Sequence, residues 1–335
     1  MIYFVSSGSS ATGGPTLMHQ GCYEVQSAGL SASMLYVDVS SKDGIHAKHL
    51  AYNLNFTFGF EIISDEDVVI VPEQFGLIRD VLKLECRKVI WWLSVDNFIV
   101  SYNFFGLGGK LKKIGAMIRA RRTSDIDYIL YSSWDVEKIM TTLAKNGIYH
   151  WVQSEYANQF LCDYGIDSVY VGDYLTEEFF RDTPRKDKKK TIVAYNPRKG
   201  AVYIEELIRK TPDLKFIPIQ NLTPQGVKDL LARAKVYIDL GNHPGQDRIP
   251  REAAMSGCLI VTSNRGSAAN IKDVPIPANF KVEVNPFNAL ETGDLLRKMV
   301  NNYEKYISSF SNYTEYIEGQ RENFQRDINK AVAQL

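Results

Sequence analysis

The sequence predicts an α/β protein made of two doubly wound, Rossmann-like domains that face each other across a cleft. Short apolar runs alternate with stretches of helical periodicity. Most of these runs are apolar on both faces, as the strands of a parallel sheet covered by helices on both sides must be. The alternation breaks once, at a charged stretch, and then starts again, and the 335 residues are enough for two domains of common size.

The first half of the chain has the βαβ order of one doubly wound domain, which we place at residues 1–180. We predict its strands at 2–7, 34–39, 67–73, 88–96, 127–133, 149–154 and 168–173. We predict its helices at 74–85, 109–121, 135–146 and 155–164. Ligands bind such sheets outside the carboxyl ends of the strands, so the residues that follow each strand are the first candidates for a site.

A second domain is predicted at residues 191–286, after a linker at 181–190 ("RDTPRKDKKK") that is too charged to be a buried element. We predict its strands at 191–196, 215–220, 236–241 and 259–263, and its helices at 200–210, at 224–234 and from about 249. The polar tail at 287–335 spaces Tyr, Phe and Leu roughly as a helix does, and we expect these helices to pack back on the N-terminal domain.

Composition excludes several classes of protein. Lys plus Arg equals Asp plus Glu, 39 against 39, which gives no overall attraction to nucleic acid. The four cysteines are scattered without a C-x-x-C pair, which favours a reducing cytoplasm over a zinc site or a disulfide framework. We identify no signal peptide at the start of the sequence, and no apolar run approaches the ~20 residues of a membrane span. We therefore expect a cytoplasmic protein.

Cations follow two predicted strands of the second half. In "YNPRKG" (195–200), Arg198 and Lys199 stand at the start of a helix, where positive charge opposes the helix macrodipole. Arg248 and Arg251 lie three residues apart on the first turn of another predicted helix, and arginine can hold phosphate oxygens bidentately. Basic surface turns with arginines paired to surface acids are the alternative. The recurrence at strand ends on one edge favours a polyanionic ligand.

Glu252 directly follows Arg251, and its carboxylate can accept two hydrogen bonds from a ribose diol. The alternative role of Glu252 is to neutralise the positive end of the helix. The segment "AAMSGC" then supplies small residues for close packing of the helix on the sheet.

Two strand ends of the first half carry weaker signals. Gly13 and Gly14, before Pro15, predict a tight turn ahead of a helix whose N-terminus suits an anion, or simply a flexible turn. The order G-x-G-x-x-G of a dinucleotide fingerprint is absent. Asp96 follows a very apolar strand and is either a cap of the next helix or an acceptor for a base or sugar hydroxyl. The D-x-D string at 125–127 begins an apolar strand, so we expect no metal there.

The segments "YNPRKG" and "REAAMSGCLIVTSNRGS" resemble the nucleotide-sugar domain of GT-B glycosyltransferases, most closely the large retaining group called family 4. "GGPTLMHQ" and the segment 152–180 resemble, more loosely, the first turn and the crossover segment of that group. The resemblance implies that Arg198 and Lys199 hold a donor diphosphate and that Glu252 binds the donor ribose. It also implies that the loop with Asn264, Gly266 and Ser267 lies near the donor.

The sequence departs from that pattern at two places. The first Glu of the paired signature is replaced by Pro244. Either Gln246 or Asp247 takes its place beside the donor sugar, or the donor sugar is held differently. The catalytic-region His of the family is not evident, and "LSVDNF" offers Ser94 and Asp96 instead. Both departures leave the choice between retention and inversion open, and the resemblance favours retention only weakly.

We therefore predict a glycosyltransferase that moves a sugar from a nucleoside-diphosphate sugar to a glycan or lipid-linked glycan acceptor in bacterial surface polysaccharide synthesis, without a metal or other cofactor. Asp96 or Asp247 is expected to orient the acceptor hydroxyl or to act as a base. A nucleotide-sugar epimerase of the same shape and a non-catalytic nucleotide- or carbohydrate-binding protein are the alternatives. The residues expected to hold the diphosphate are Gly13, Gly14, Arg198, Lys199, Arg248 and Arg251.

Residues 106–122 ("GLGGKLKKIGAMIRARR") combine six cations with Leu and Ile at helical spacing. Such a helix can lie on an anionic membrane, which would bring the protein to the inner face of the cell membrane. The alternative is a helix whose apolar face packs on the sheet while its lysines stay in water. The cluster lacks interleaved aromatic residues, so we expect no nucleic acid partner.

Overall fold

The computed structural model describes residues 1–106, 109, 114, 115, 136–145, 147–180 and 188–335. The described chain divides into two compact units. The first comprises the described part of Met1–Arg119 and Leu130–Asp173 together with Glu322–Leu335, and the second comprises the described part of Tyr174–Arg321. The predicted strand at 127–133, the D-x-D string, and most of the basic segment 106–122 and of the linker lie outside the described residues.

The first unit is built on a parallel sheet of seven strands in the order β3-β2-β1-β4-β5-β6-β7. Ile2 of the first strand pairs with Ala32 on one side and with Val68 on the other, so the strand order reverses at β1. The strands are β1 (Ile2–Ser6), β2 (Ala32–Tyr36), β3 (Phe56–Phe58), β4 (Val68–Pro72), β5 (Arg87–Trp92), β6 (Ile148–Val152) and β7 (Val169–Tyr170). Strands β2 and β4 are buried along their whole length, as their continuous apolar runs predict.

Helices cover this sheet. They are Gly13–Ser27, Ala47–Leu50, Phe75–Val81, Val95–Asn103, Glu137–Leu143 and Glu155–Cys162, with a 3-10 turn at Lys42–Gly44. Ser94 and Ser154 begin two of them, because each hydroxyl accepts a backbone N–H of the first helical turn. The helix Gln320–Val332 extends into this unit, where Phe324 stacks on Trp91 with ring centroids 6.1 Å apart. Among the described helices, none is both long and apolar enough to cross a lipid bilayer.

The second unit is built on a parallel sheet of five strands in the order β12-β11-β10-β8-β9. The strands are β8 (Lys190–Tyr195), β9 (Phe216–Pro218), β10 (Ala234–Asp239), β11 (Leu259–Ser263) and β12 (Lys281–Val282). The helices are Ala201–Lys210, Pro224–Arg233, Arg248–Met255, Ala289–Asn301, Tyr303–Tyr306 and Ser311–Glu318. Short 3-10 turns lie at Glu177–Phe179, Gly266–Ala269, Ala278–Phe280, Pro286–Asn288 and Ile307–Phe310. The α/β fold class with two doubly wound parallel sheets is therefore confirmed.

The end of the predicted linker is anchored to the second unit. The ammonium group of Lys189 donates to the backbone carbonyls of Leu231, Ala234 and Ser256 at 2.8–3.0 Å. These carbonyls lie at the C-terminal ends of two helices, where a cation complements the macrodipole. Strand β8 accordingly begins at Lys190, inside the stretch assigned to the linker from its charge alone.

Candidate functional site

Two loops of the second unit approach each other at the carboxyl ends of neighbouring strands. Because β8 pairs with β10, the loop that follows Tyr195 lies beside the loop that follows Asp239. Gly200 has φ +67°, and a Cβ atom there would lie 2.4 Å from the carbonyl oxygen of Leu240. Only glycine permits both that backbone conformation and that approach. The sequence thus allows the two loops to carry their side chains into one place.

Four side chains from these loops form what we call the acid–base cluster: Lys199, Asp239, His243 and Asp247. Lys199 Nζ lies 2.5 Å from Asp247 Oδ2 and 3.7 Å from Asp239 Oδ2. His243 Nδ1 lies 2.9 Å from Asp247 Oδ2, and His243 Nε2 lies 3.6 Å from Asp239 Oδ1. Each of the two bases therefore bridges both acids.

The electrostatics of the cluster favour ionised groups. Burial by itself lowers the pKa of Lys199 and of His243, but the nearby carboxylates of Asp239 and Asp247 outweigh that effect and raise both. Burial raises the pKa of Asp247, yet Lys199 and then His243 bring it down to about 2. With two carboxylates and one ammonium, the cluster is electrically neutral only when His243 carries a proton.

A residue of its own strand, β10, fixes the side chain of Asp239. Its side chain is 1% exposed, and the hydroxyl of Tyr237 donates to Asp239 Oδ2 at 3.1 Å. Burial, followed by the charge of Asp239, raises the pKa of Tyr237, so this phenol stays protonated and acts as a donor. The carboxylate of Asp239 is thus fixed in the position from which it reaches Lys199 and His243.

Asp239, His243 and Asp247 also have the donor types of a divalent-cation site, because one ligand atom from each lies within 4.8 Å of the others. The ammonium group of Lys199 lies among the same acids, however, at 2.5 and 3.7 Å from them. A metal ion bound there would have to displace this positive charge. We therefore interpret the cluster as a network of ion pairs, with Lys199 as its cation.

The predicted loop after β11 reaches the same place. Ser267 donates its backbone N–H to His243 O at 2.8 Å and its hydroxyl to Gly245 O at 2.6 Å. Gly266 has φ +55°, and a Cβ atom there would lie 2.1 Å from His243 O. Asn264 is exposed, and its amide donates to Glu283 beside β12 at 2.9 Å. The structure therefore brings Gly266 and Ser267, more than the side chain of Asn264, to the loop of the cluster.

Two residues that were predicted to bind the donor are buried in the protein. Arg251 is 2% exposed, and its guanidinium group donates to Gln246 O at 2.9 Å and to Gln320 Oε1 at 2.8 Å. Gln246 is 7% exposed, and its amide donates to the hydroxyl of Tyr316 at 2.8 Å. These contacts tie the loop to the C-terminal helices of the same unit. The assignment of Arg251 to the diphosphate and of Gln246 to the donor sugar stays a prediction.

The other predicted residues of this unit lie near the cluster in sequence and differ in exposure. Arg198 is exposed and directly precedes Lys199. Arg248 is half-buried at the first position of the helix Arg248–Met255, directly after Asp247. Glu252 is half-buried on the same helix. The assignment of these three side chains to a nucleotide stays a prediction.

In the first unit, the predicted tight turn at Gly13 and Gly14 is wrong, because these residues begin the helix Gly13–Ser27 with Pro15 in its first turn. The helix N-terminus expected after β1 is present, and its N-cap residue, Thr12, makes no side-chain capping hydrogen bond. Asp96 lies in the first turn of Val95–Asn103, is 7% exposed and accepts a hydrogen bond from Tyr156 at 3.1 Å. That placement suits the macrodipole, while its catalytic role stays a prediction.

Sequence reasoning missed three acidic or basic groups. Asp239 and His243 complete the cluster, and the available signal was an acid in the last position of a buried strand with a histidine four residues later. Glu73 follows β4, is 3% exposed and accepts the backbone N–H of Leu93 at 3.0 Å. Burial raises its pKa to about 7. Because Glu73 ends an apolar run, it was assigned to the strand rather than to its carboxyl end.

No protein-family model matches the chain, and no curated protein sequence matches it. Solved structures match over its whole length. HepE of Anabaena in complex with UDP and glucose has a TM-score of 0.64 and 11% identity, with 100% of this chain and 99% of that chain covered. Sucrose-phosphate synthase of Thermosynechococcus elongatus has a TM-score of 0.64 and 12% identity, with 99% and 98% covered.

The lipopolysaccharide outer core galactosyltransferase WaaB, in its apo form, has a TM-score of 0.58 and 12% identity, with 100% of this chain and 99% of that chain covered. At these identities the likeness establishes the fold. The chain has the GT-B fold of these glycosyltransferases, as the sequence resemblance predicted. The narrower assignment to family 4 stays a prediction.

Proposed function

We propose that the chain is a glycosyltransferase that binds a nucleoside-diphosphate sugar with its diphosphate against Lys199. The observation that carries this proposal is the position of the Lys199 ammonium, held between Asp239 and Asp247 at the carboxyl edge of the second sheet. An ammonium has three N–H donors. One of them is donated to Asp247, while Asp239 attracts the ammonium from 3.7 Å. The 22% exposure of the side chain leaves a donor for a phosphate oxygen.

The surroundings of Lys199 supply further positive potential. Arg198 is exposed beside it, Arg248 begins the adjacent helix, and the N-terminus of that helix is directed to the same edge. Fixed cations and dipoles of this kind stabilise the charge that develops on a leaving diphosphate, a contribution of several kcal/mol in a site that excludes water. This arrangement would supply the electrostatic role of a metal ion.

Asp247 is the weaker of the two candidate bases. Its pKa is lowered to about 2, and its Oδ2 atom is engaged by both Lys199 and His243. A group that holds its proton so weakly is a poor general base at neutral pH. We therefore propose that Asp247 positions Lys199, and we keep Asp96 as the candidate that orients the acceptor hydroxyl.

The similar structures support the donor class and suggest a first probe. HepE has been crystallised with UDP and with UDP-glucose, and WaaB is a lipopolysaccharide galactosyltransferase. We propose, by extension, a glycan or lipid-linked glycan acceptor of a bacterial surface polysaccharide, used at the inner face of the cell membrane. Retention of configuration is proposed only by analogy with the resemblance seen in the sequence.

The test is a thermal-shift screen against UDP, GDP, ADP and dTDP. A nucleotide at 100 times its dissociation constant should add about 2.7 kcal/mol to the free energy of unfolding. The variant Lys199→Ala should lose this shift relative to its own ligand-free state. The matched control is Lys210→Ala, which removes a lysine paired with Glu206 on a helix of the same unit and should keep the shift.

Two results would contradict the proposal: no shift with any of the four nucleotides, or a full shift in Lys199→Ala. A panel of acceptors with labelled donor then separates the three candidate activities. Transfer to an acceptor supports the glycosyltransferase. An epimer formed without acceptor supports the epimerase, and binding without turnover supports a binding protein.

A further inference from the structure

We infer that His243 is a positioning residue whose imidazolium form fixes Asp247 against Lys199 and thereby sets the affinity for the donor, an inference that rests on the proposed role of Lys199. His243 and Lys199 contact the same oxygen, Asp247 Oδ2, at 2.9 and 2.5 Å. The orientation of the Asp247 carboxylate therefore depends on both donors. Loss of either one frees the carboxylate to turn and changes where the ammonium lies.

The hydrogen-bond geometry requires a proton on both ring nitrogens of His243. Nδ1 faces the Asp247 carboxylate, and Nε2 faces the backbone carbonyl oxygen of Asp239 at 3.2 Å. Both partners are acceptors. A neutral imidazole has one donor nitrogen and one acceptor nitrogen, so it can satisfy only one of these contacts, whereas an imidazolium satisfies both.

A second observation points to the same charge. Asp239 Oδ1 is a buried carboxylate oxygen without a hydrogen-bond partner among the described residues. His243 Nε2 lies 3.6 Å away, beyond hydrogen-bond length but close enough for strong attraction in a buried site. A positive charge on the ring would compensate this oxygen, while a neutral ring would leave it uncompensated.

The other charged residues that line the space beside His243 have opposite formal charges. A small enclosed cavity of about 10 Å³ touches both His243 and Asp247, and it is lined as well by Arg251 and by Asp273, whose charges are opposite. Asp239 of β10, Asp247 and Lys199 act directly on the charge of the ring. The other titratable or charged groups nearby are Arg251, Asp273 and Tyr313, which line the cavity, and Tyr237, which donates to Asp239.

The consequence is a donor affinity that depends on pH. Because the pKa of His243 is raised above its ordinary value of 6.5, the imidazolium is present below that value and is lost as the pH rises through the folded-state pKa. Above it, the cluster carries one net negative charge beside the donor diphosphate, and Asp247 loses a charge-assisted contact. Both changes weaken the binding of an anion.

The experiment measures the dissociation constant of a nucleotide sugar, with UDP-glucose tested first, at several values from about pH 6 to about pH 8.5. The diphosphate of this probe is a diester, so it does not titrate in that range. Wild-type protein should bind about tenfold more weakly once the pH has passed the folded-state pKa of His243, the factor expected for one charge-assisted contact. His243→Asn keeps a donor near the Nδ1 position but cannot be charged, and it should bind weakly at every pH.

The control is His150→Gln, which changes a buried histidine of the first unit and should keep the wild-type profile. A wild-type affinity that stays constant while the His243 ring loses its proton, or a wild-type profile in His243→Asn, would overturn the inference while leaving the proposed function intact. Binding by neither protein at any pH, with any nucleotide sugar, would count against the proposed function instead.

A measurement without ligand tests the inference even if no nucleotide sugar binds. Titration of the His243 ring by NMR should give a pKa above 6.5, and Asp239→Asn should lower it. A value at or below 6.5 overturns the inference whether or not a nucleotide binds.

Discussion

The two units bury histidines to a similar degree but give them different charge states, neutral in the first unit and positive in the second. In the second unit, His243 lies between two carboxylates, which raise its pKa. In the first unit, burial lowers the pKa of His150 to about 4. The indole N–H of Trp92 donates to His150 Nδ1 at 3.0 Å, so Nε2 carries the proton and donates to Leu143 O at 3.0 Å. The position of acids, more than burial, therefore decides the charge of a histidine in this fold.

The carboxyl edge of the first sheet follows the same rule. The rings of His19 and His49 stack with centroids 3.8 Å apart, and burial lowers the pKa of both, that of His19 to about 4. Two charged rings at that distance would repel each other strongly. The comparison indicates that burial keeps these two histidines of the first unit neutral, whereas His243 of the second unit belongs to a cluster of ion pairs suited to an anion.

The largest effect is expected when the cluster loses its lysine. In Lys199→Met, the carboxylates of Asp239 and Asp247 keep only His243 as a cationic partner. Breaking a buried ion pair on one side costs about 3–5 kcal/mol, because a buried charge is left uncompensated. We expect a loss of free energy of unfolding of that order, measured by urea denaturation without ligand.

Two further variants make this measurement specific. Adding Asp247→Asn to Lys199→Met removes one of the uncompensated charges and should recover part of the stability. Lys83→Met changes a solvent-exposed ion pair of the first unit and should cost much less, because solvent screens such pairs. Equal losses in Lys199→Met and Lys83→Met would show that the cluster is not an electrostatic unit.

The contrast between the histidines predicts opposite dependences of stability on pH. The folded-state pKa of His150 is depressed from 6.5 to about 4, so its contribution is present above 6.5 and is lost as the pH falls towards 4. His150→Gln should remove up to about 3 kcal/mol of that change. For His243 the pKa is raised, so its contribution is present below 6.5 and is lost as the pH rises through the folded-state value.

Urea denaturation of wild type, His150→Gln and His243→Asn from acid to mildly alkaline pH checks both signs. The stability advantage of wild type over His150→Gln should shrink on the acid side, because only wild type loses this contribution as the pH falls. The difference between wild type and His243→Asn should shrink on the alkaline side. Parallel curves for the two variants would remove the distinction between the two units.

The fold was largely predictable from the sequence because its central strands are continuous apolar runs. The run at 67–73 gave β4, and the run at 236–241 gave most of β10, which the structure buries from end to end except at Lys235. Strands β3 and β12, with three and two residues at sheet edges, were missed. A run that short has no periodicity to detect. The equally short edge strands β7 and β9 were predicted, because each lies within a longer apolar run.

The candidate site was only partly predictable. Lys199 and Asp247 were identified because each follows a strand, but their contact depends on β8 and β10 being neighbours, which spacing along the chain does not show. Arg251 illustrates the same limit. Its position three residues after Arg248 predicts a shared helical face, yet Gln320, 69 residues away in sequence, accepts a hydrogen bond from its guanidinium group.

The smallest of these effects concerns two glycines, one from each unit. Gly200 and Gly165 have nearly the same left-handed conformation, with φ +67° and +68°. A Cβ atom on Gly165 meets nothing within 4 Å, whereas one on Gly200 would lie 2.4 Å from Leu240 O. Alanine at either position carries a conformational cost of about 1 kcal/mol, and Gly200→Ala must in addition separate the two loops of the cluster.

We therefore expect Gly200→Ala to cost about 1–2 kcal/mol more than Gly165→Ala in urea denaturation, and only Gly200→Ala to weaken the nucleotide-induced thermal shift. The second readout matters because it separates strain from function: the loop of Gly200 carries Lys199, and the loop of Leu240 leads to His243 and Asp247. If the two alanine variants lose equal stability, the close approach of these loops does not hold the cluster together, and the difference between the two strand edges must come from charge alone.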